Sequence, residues 1–189
     1  WLGAALAIAA GCGGGGGASP DAPTGDAGGD AGADLVLTSA AFTTGTAIPG
    51  AHTCKGANTS PPLAWTGTPP AGTKAYAIVM TDTSLTPALV HWVLYDIPPT
   101  TTSLPAGVDH GYAPVAVAAH QTDSYDGTTI GYLGPCPPAT HTYEFALYAV
   151  LASALPGATM DTARNDAVNL ITAHALSRRP ATLTGTFTP

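Results

Sequence analysis

The residues best equipped for chemistry stand at the ends of apolar runs. Asp82 follows KAYAIVMT, His91 precedes WVLYDI, and the stretch GPCPPATHTY (134–143) carries His141 and Tyr143. Two positions apart on an extended chain, His141 and Tyr143 face the same way. With the two histidine strands as neighbours, both imidazoles, the phenol, the Asp82 carboxylate and backbone amides from Gly134 converge on a small anion receptor. An imidazole near its ordinary pKa of about 6.5 gains charge as a phosphate arrives, so affinity is expected to rise as pH falls through that region.

The same residue types admit other chemistry. Asp82, His91 and His141 have the composition of a two-histidine, one-carboxylate metal site that would activate water in a metal-dependent hydrolase, although their spacing matches no metal motif. Cys136 and His141, five residues apart, have the types of a thiol nucleophile and its base. A third reading makes each strand-end His or Tyr a satisfied structural residue. Phosphate loops of the GxxxxGKS kind, a strand-borne GxGxxG and a serine elbow GxSxG do not occur in the chain.

The elements that must hold these residues are mostly strands. KAYAIVM (74–80) and HWVLYDI (91–97) are continuous apolar runs between turn residues, as strands buried on both faces are. TYEFALYAV (142–150) puts Tyr143, Phe145, Leu147 and Ala149 on one face, and ATLTGTFT (181–188) alternates Leu183, Gly185 and Phe187 with threonine. VAVAAH (115–120) is a weaker fifth strand. Between Met160 and Ser177, Ala163, Ala167, Leu170, Ile171 and His174 recur at helical spacing, with Asp161 near the start and Arg178 and Arg179 near the end, as a helix dipole favours. Many strands, proline-rich connections and one late helix predict a mainly β protein, a β-sandwich with a minor helical part. Loops such as PPLAW, TPPAG and GPCPP have φ angles fixed by proline and hold their shape without a ligand. Trp65 and Trp92 lie in apolar stretches and read as core anchors. His174 reads as a hydrogen-bonded core residue, and no function attaches to His52, His110, His120 or the Asn58-Thr59-Ser60 triplet.

Charge narrows the partners. Twelve acidic residues against five basic ones give a net charge of −7, and a nucleic-acid surface needs clustered Lys and Arg that this chain does not have. The longest apolar run, at the N-terminus, is roughly half of what a bilayer span needs. WLGAALAIAAG before Cys12 reads as the rear half of an export signal, and Ala9-Ala10-Gly11-Cys12 resembles the bacterial lipobox, whose cysteine is lipidated. Residues 1–12 are therefore expected to supply a lipid anchor, the only contact with a membrane, in the envelope of a bacterial cell. Residues 13–34 contain only Gly, Ala, Asp, Pro, Ser and Thr and form a tether without a core. Residues 35–189 are expected to fold as one domain. Its two cysteines, Cys54 and Cys136, in an exported chain, pair as a disulfide or stay as two separately buried thiols.

Four ordered motifs, IPGAHTCKGANTSPPLAW (48–65), TDTSLTP (81–87), HWVLYDIPP (91–99) and GPCPPATHTYEFALYAV (134–150), resemble the phosphatidylethanolamine-binding protein family in its bacterial Raf-kinase-inhibitor-like branch. The resemblance runs from about Phe42 to Phe187. It implies a β-sandwich with a large antiparallel Greek-key sheet, a smaller sheet and a C-terminal helix. It also implies a non-catalytic pocket for phosphate or a phospholipid headgroup such as phosphorylethanolamine, without cofactor or metal. By that likeness Asp82 is the first acid of the family's DPDxP motif and His91 the pocket histidine. Gly134, Pro135, Pro137 and Pro138 form the pocket wall, and His141 and Tyr143 are the HxY pair. Family members also bind kinases or inhibit proteases, which leaves a protein partner open, as does a tethered interaction module whose pocket is vestigial. The chain departs from the pattern in DTSLTP, where Ser84 or Thr86 replaces a second carboxylate, in ATHTY before the HxY pair, and in Lys55, which adds a positive charge near the pocket.

Overall fold

A computed structural model describes residues 35–189. Cys12 and the 13–34 segment lie outside the described residues. In chain order the elements are β1 (Val36–Thr38), β2 (Thr46–Ala47), a short 3-10 turn (Gly50–His52), β3 (Leu63–Thr66), β4 (Ala75–Asp82), β5 (Leu89–Ile97), β6 (Ser103–Leu104), β7 (His120–Gln121), β8 (His141–Val150), α1 (Arg164–His174) and β9 (Ala181–Phe187).

They form two sheets, a three-stranded one in the order β1-β3-β6 and a six-stranded one in the order β2-β9-β8-β4-β5-β7. In the large sheet β4 pairs with β5, β5 with β7, and β8 returns to the other side of β4, which is a Greek key. The expected mainly β architecture is observed. The sheet is antiparallel except at one edge, where β2 runs parallel to β9.

The continuous apolar runs are explained by burial on both faces of the central strands. Tyr76, Ile78 and Met80 of β4 point into the space between the sheets, with Trp92 and Leu94 of β5 and Phe145 and Leu147 of β8. Ala77 and Val79, with Val93 and Tyr95, point the other way and are covered by Ala167 and Ile171 of α1. Trp65 and Trp92 are buried core anchors, as expected. Gly185 on β9 lets Ile48 and Phe42 approach the strand, since a Cβ there would stand 2.6 Å from Ile48 Cγ1.

Two elements differ from expectation. Of VAVAAH only His120 enters a strand, β7. The Ala119 amide donates to the Val117 carbonyl (2.8 Å), so the segment spends its hydrogen bonds in a local turn and leaves Val115 almost wholly exposed. The helix is shorter than 160–177. At its start, Thr159 and Thr162 bond to each other's backbone and Ala163 is extended; at its end, Ala175 forms a β-bridge with Val150. Asp161, Arg178 and Arg179 thus lie outside the helix, and the acid in its first turn is Asp166. The first amide, from Arg164, donates instead to Asp123 Oδ1 (2.8 Å), while the Arg164 guanidinium bonds Asp123 Oδ2 (2.6 Å). Asp123 thereby acts as a cap supplied by a distant loop. His174 is half-buried and bonds the Leu170 carbonyl within its own helix.

Candidate functional site

The expected neighbourhood of the two histidine strands is corrected in one respect: β4 lies between them. The last residue of β4 is Asp82, paired with Leu89 on β5 and with Tyr143 on β8. The carboxylate therefore stands in the middle of the site rather than beside it. Its Oδ1 accepts the Ser84 amide at 2.9 Å, an Asx turn that ends the strand, and its Oδ2 lies 2.6 Å from His141 Nδ1. A carboxylate accepts only, so Nδ1 carries the hydrogen and Nε2 is the ring nitrogen left over.

His91 reaches the same place through a backbone irregularity. Met80 pairs with Trp92 but Thr81 pairs with Val90, so His91 is the extra residue of a β-bulge. Bulges re-aim a side chain that regular pleating would send elsewhere. The His91 Nδ1 donates to the Leu133 carbonyl at 3.0 Å, and the Ser124 hydroxyl donates to the His91 carbonyl. Within the described residues no hydrogen bond reaches Nε2 of either imidazole. The His91 ring packs 4.3 Å from Tyr125 and 5.3 Å, edge to face, from Tyr143. Burial pushes the His91 pKa down and Arg164 adds to this, while the Leu133 hydrogen bond and Asp82 oppose it. Burial also raises the pKa of both phenols, helped at Tyr143 by the Asp82 charge and at Tyr125 by Asp126, so both keep their hydrogen at neutral pH.

Together these side chains line a cleft of about 250 Å³. Asp82, His91, Pro137, Pro138, His141 and Tyr143, all singled out from the sequence, are in its wall, with Cys136, Leu85, Leu89 and Tyr125. Gly134 and Pro135 are not. The Gly134 amide, expected to face an anion, is taken by Asn58 Oδ1 at 2.9 Å, and the Pro135 carbonyl accepts the Cys54 amide at 3.1 Å. Both act behind the wall. A Cβ on Gly134 would run into the His52 carbonyl oxygen and lie 2.7 Å from Asn58 Oδ1, which is why this position is glycine. Cys54 and Cys136 are joined as a disulfide, which fixes Pro137 and Pro138 to the 50–60 loop and removes the thiol that a Cys136 nucleophile would need.

The departures from the family pattern are absorbed locally. The Ser84 hydroxyl accepts the Thr142 amide at 2.9 Å, and the Thr83 amide donates to the Thr142 carbonyl at 3.0 Å, so DTSLTP is stitched to the start of β8. Lys55 is exposed and does not line the cleft. Among the described residues no group of three or more His, Cys, Asp or Glu side chains is placed to hold one ion, so the suggested metal set is not assembled as ligands.

Tyr125, Leu85 and Leu89 were not legible as site residues. Tyr125 comes from a loop outside every motif; its one signal is the TDSYDGTT stretch of turn formers between the His91 and GPCPP motifs.

Known proteins share this fold. The family model described as phosphatidylethanolamine-binding protein matches residues 38–188. A Mycobacterium tuberculosis protein provisionally named lipoprotein LppC is 40% identical over 173 residues, covering 83% of this chain and 82% of its own. A UPF0098 protein of Methanothermobacter thermautotrophicus is 38% identical over 135 residues, 68% of this chain and 83% of its own. The crystal structure of E. coli YbcL, described as a new member of the mammalian PEBP family, superposes with a TM-score of 0.73 at 27% identity, over 83% of this chain and 99% of that one. The family-model match over 38–188 and the 40% identity to the M. tuberculosis relative lead to one conclusion: the chain belongs to the phosphatidylethanolamine-binding protein family.

Proposed function

We propose that the protein binds small anions of the phosphate and phosphorylated-headgroup kind in the cleft at the end of β4, without transforming them. One observation carries the reading. Both imidazoles have Nδ1 committed to a protein acceptor, the Leu133 carbonyl and the Asp82 carboxylate, and both rings are in the wall of the cleft. Ring orientation and tautomer are therefore set before any ligand arrives, and the two Nε2 atoms, with the Tyr125 and Tyr143 phenols, are polar groups left to meet one. A volume of about 250 Å³ suits a phosphate with a short organic group. The proline-flanked wall and the disulfide keep the cleft open without a ligand.

The anchor and tether belong to the same reading. Residues 1–12 with lipidated Cys12, and the 13–34 segment behind them, would hold the 35–189 domain at the envelope of a bacterial cell. The name of the M. tuberculosis relative, a lipoprotein, supports this. A regulatory or inhibitory role toward a protein partner is compatible with the fold.

The test is an NMR titration of the full chain with inorganic phosphate and with phosphorylethanolamine at pH 6 and pH 8, following the ring signals of His91 and His141. Saturable shifts, stronger at pH 6 and lost in His91→Ala, are expected. No shift at millimolar ligand would sink the reading and leave an interaction module with a vestigial pocket.

A further inference from the structure

The cleft carries a constraint on the charge and the hydrogen count of its ligand. Among the described residues, no Lys or Arg lines it, while Asp82 brings a buried carboxylate. The cation whose charge reaches His91 is Arg164, and its guanidinium is already on Asp123 Oδ2 (2.6 Å) and the Ser124 carbonyl (3.0 Å). A ligand carrying two full negative charges would meet a third on Asp82 with no Lys or Arg in the wall to offset it.

The His91 Nδ1–H is held by a backbone carbonyl, and a carbonyl cannot donate back, so the tautomer is fixed. Nε2 then presents a lone pair. The groups facing this ring are Asp82 from β4, His141 and Tyr143 from β8, Tyr125 from the preceding loop, and Arg164. The ring is buried, which disfavours the imidazolium and keeps Nε2 an acceptor. An acceptor in a cleft calls for a donor on the ligand.

We propose that the cleft selects phosphomonoesters bound as the monoanion, the remaining P–O–H donating to His91 Nε2, and refuses the phosphodiester headgroup of an intact phospholipid. The inference rests on the anion-binding reading above. A monoester loses its second proton near pH 6, so the singly charged form is plentiful under mild acid. A diester has the same single charge but no hydrogen, and would set oxygen lone pairs against the nitrogen lone pair. Sites built around one hydrogen bond reject the analogue that lacks it, because the buried partner is left unpaired. Phosphorylethanolamine and phosphatidic acid carry the required group; phosphatidylethanolamine does not.

Neutral His91 with a protonated ligand and charged His91 with a dianion hold the same number of protons, so pH dependence of affinity does not separate them. The test is therefore a titration of the full chain, labelled with 15N at histidine, at pH 6 with phosphorylethanolamine and with glycerophosphorylethanolamine. The monoester is expected to bind at least about tenfold tighter, and the His91 Nε2 signal to stay that of an unprotonated nitrogen in the complex. His91→Asn, whose amide nitrogen can still donate to Leu133 while its shorter side chain places no acceptor where Nε2 stood, is expected to erase the difference between the two ligands. Diester affinity within about twofold of the monoester, or a protonated Nε2 in the complex, would overturn the proposal and leave anion binding standing. Absence of saturable shifts with either ligand would overturn both. Short-chain lipids then separate the sources. Displacement of phosphorylethanolamine by a short-chain phosphatidic acid admits a lipid monoester and its failure confines the ligand to soluble ones, both within the proposal; displacement by short-chain phosphatidylethanolamine overturns it.

Discussion

His141 Nδ1 lies 2.6 Å from Asp82 Oδ2, across the boundary between β8 and the central strand β4. The carboxylate holds the ring while its other oxygen closes the turn at Ser84. One buried side chain thus fixes a cleft-lining imidazole and the loop that carries Leu85 into the cleft.

Asp82→Ala leaves the Ser84 amide and His141 Nδ1 without their acceptor in a largely buried setting. The expected cost is about 1–3 kcal/mol of stability, the range for stranding a buried donor. Phosphorylethanolamine binding should weaken about tenfold as the His141 ring loses its orientation. Urea denaturation and the NMR titration measure the two effects on one sample. Unchanged affinity would mean that His141 does not touch the ligand.

The stability of the protein should fall as pH drops below the ordinary histidine range, and His91 supplies the sign. Its pKa in the folded state lies below that of the unfolded chain, mainly through burial. The unfolded state therefore takes up the proton first, and the stability present above about pH 6.5 is lost progressively as pH falls toward the folded-state value. His91→Asn keeps the bond to Leu133 without a titrating ring. Denaturation midpoints of the two proteins between pH 7.5 and about 5 are expected to diverge, with the variant flatter. Parallel curves would show that His91 is not the group responsible.

Most of the site is readable in sequence because it stands at strand ends. Asp82, His91, His141 and Tyr143 each follow or precede an apolar run, and the runs are conspicuous because α1 and the small sheet bury both faces of β4 and β5. Three things are not readable. The interposition of β4 between β5 and β8 is a matter of topology, and local periodicity is blind to it. The bulge at His91 shows only as a slip between Met80/Trp92 and Thr81/Val90. The direction of the Gly134 amide is decided by Asn58, 76 residues away, so a glycine in a proline-rich loop looks like an anion donor when it is a close-packing position.

Reducing the Cys54–Cys136 bridge should cost both stability and binding. The two cysteines are separated by 82 positions, and closing such a loop stabilises by about 4–5 kcal/mol in the chain-entropy model, with measured bridges commonly giving less. Cys136 is also in the cleft wall beside Pro137 and Pro138. Chemical denaturation with and without reductant is expected to show a loss of about 2–5 kcal/mol. Under mild reductant, where the protein is still folded, phosphorylethanolamine affinity is expected to drop. Full retention of affinity would show that the Asn58–Gly134 and Cys54–Pro135 hydrogen bonds hold the wall unaided.

Gly134→Ala tests that second support. The added methyl meets the His52 carbonyl, which is backbone, and, at 2.7 Å, Asn58 Oδ1, a side-chain end tied to the Gly134 amide. The His52 carbonyl also accepts the Tyr132 hydroxyl at 2.7 Å, and its ring Nδ1 bonds the Thr59 carbonyl at 2.9 Å, so the 50–60 loop has little room to yield. The expected cost is about 1–3 kcal/mol, the range for overpacking a well-filled site. As the wall shifts, the Asn58–Gly134 hydrogen bond should break, and the Gly134 amide, protected in the parent, should exchange with solvent much faster. Asn58→Ala, which removes the acceptor without adding volume, is expected to speed the same exchange at a smaller loss of stability. If both variants left the exchange rate and the affinity for phosphorylethanolamine unchanged, the 136–138 wall would be held by the disulfide alone.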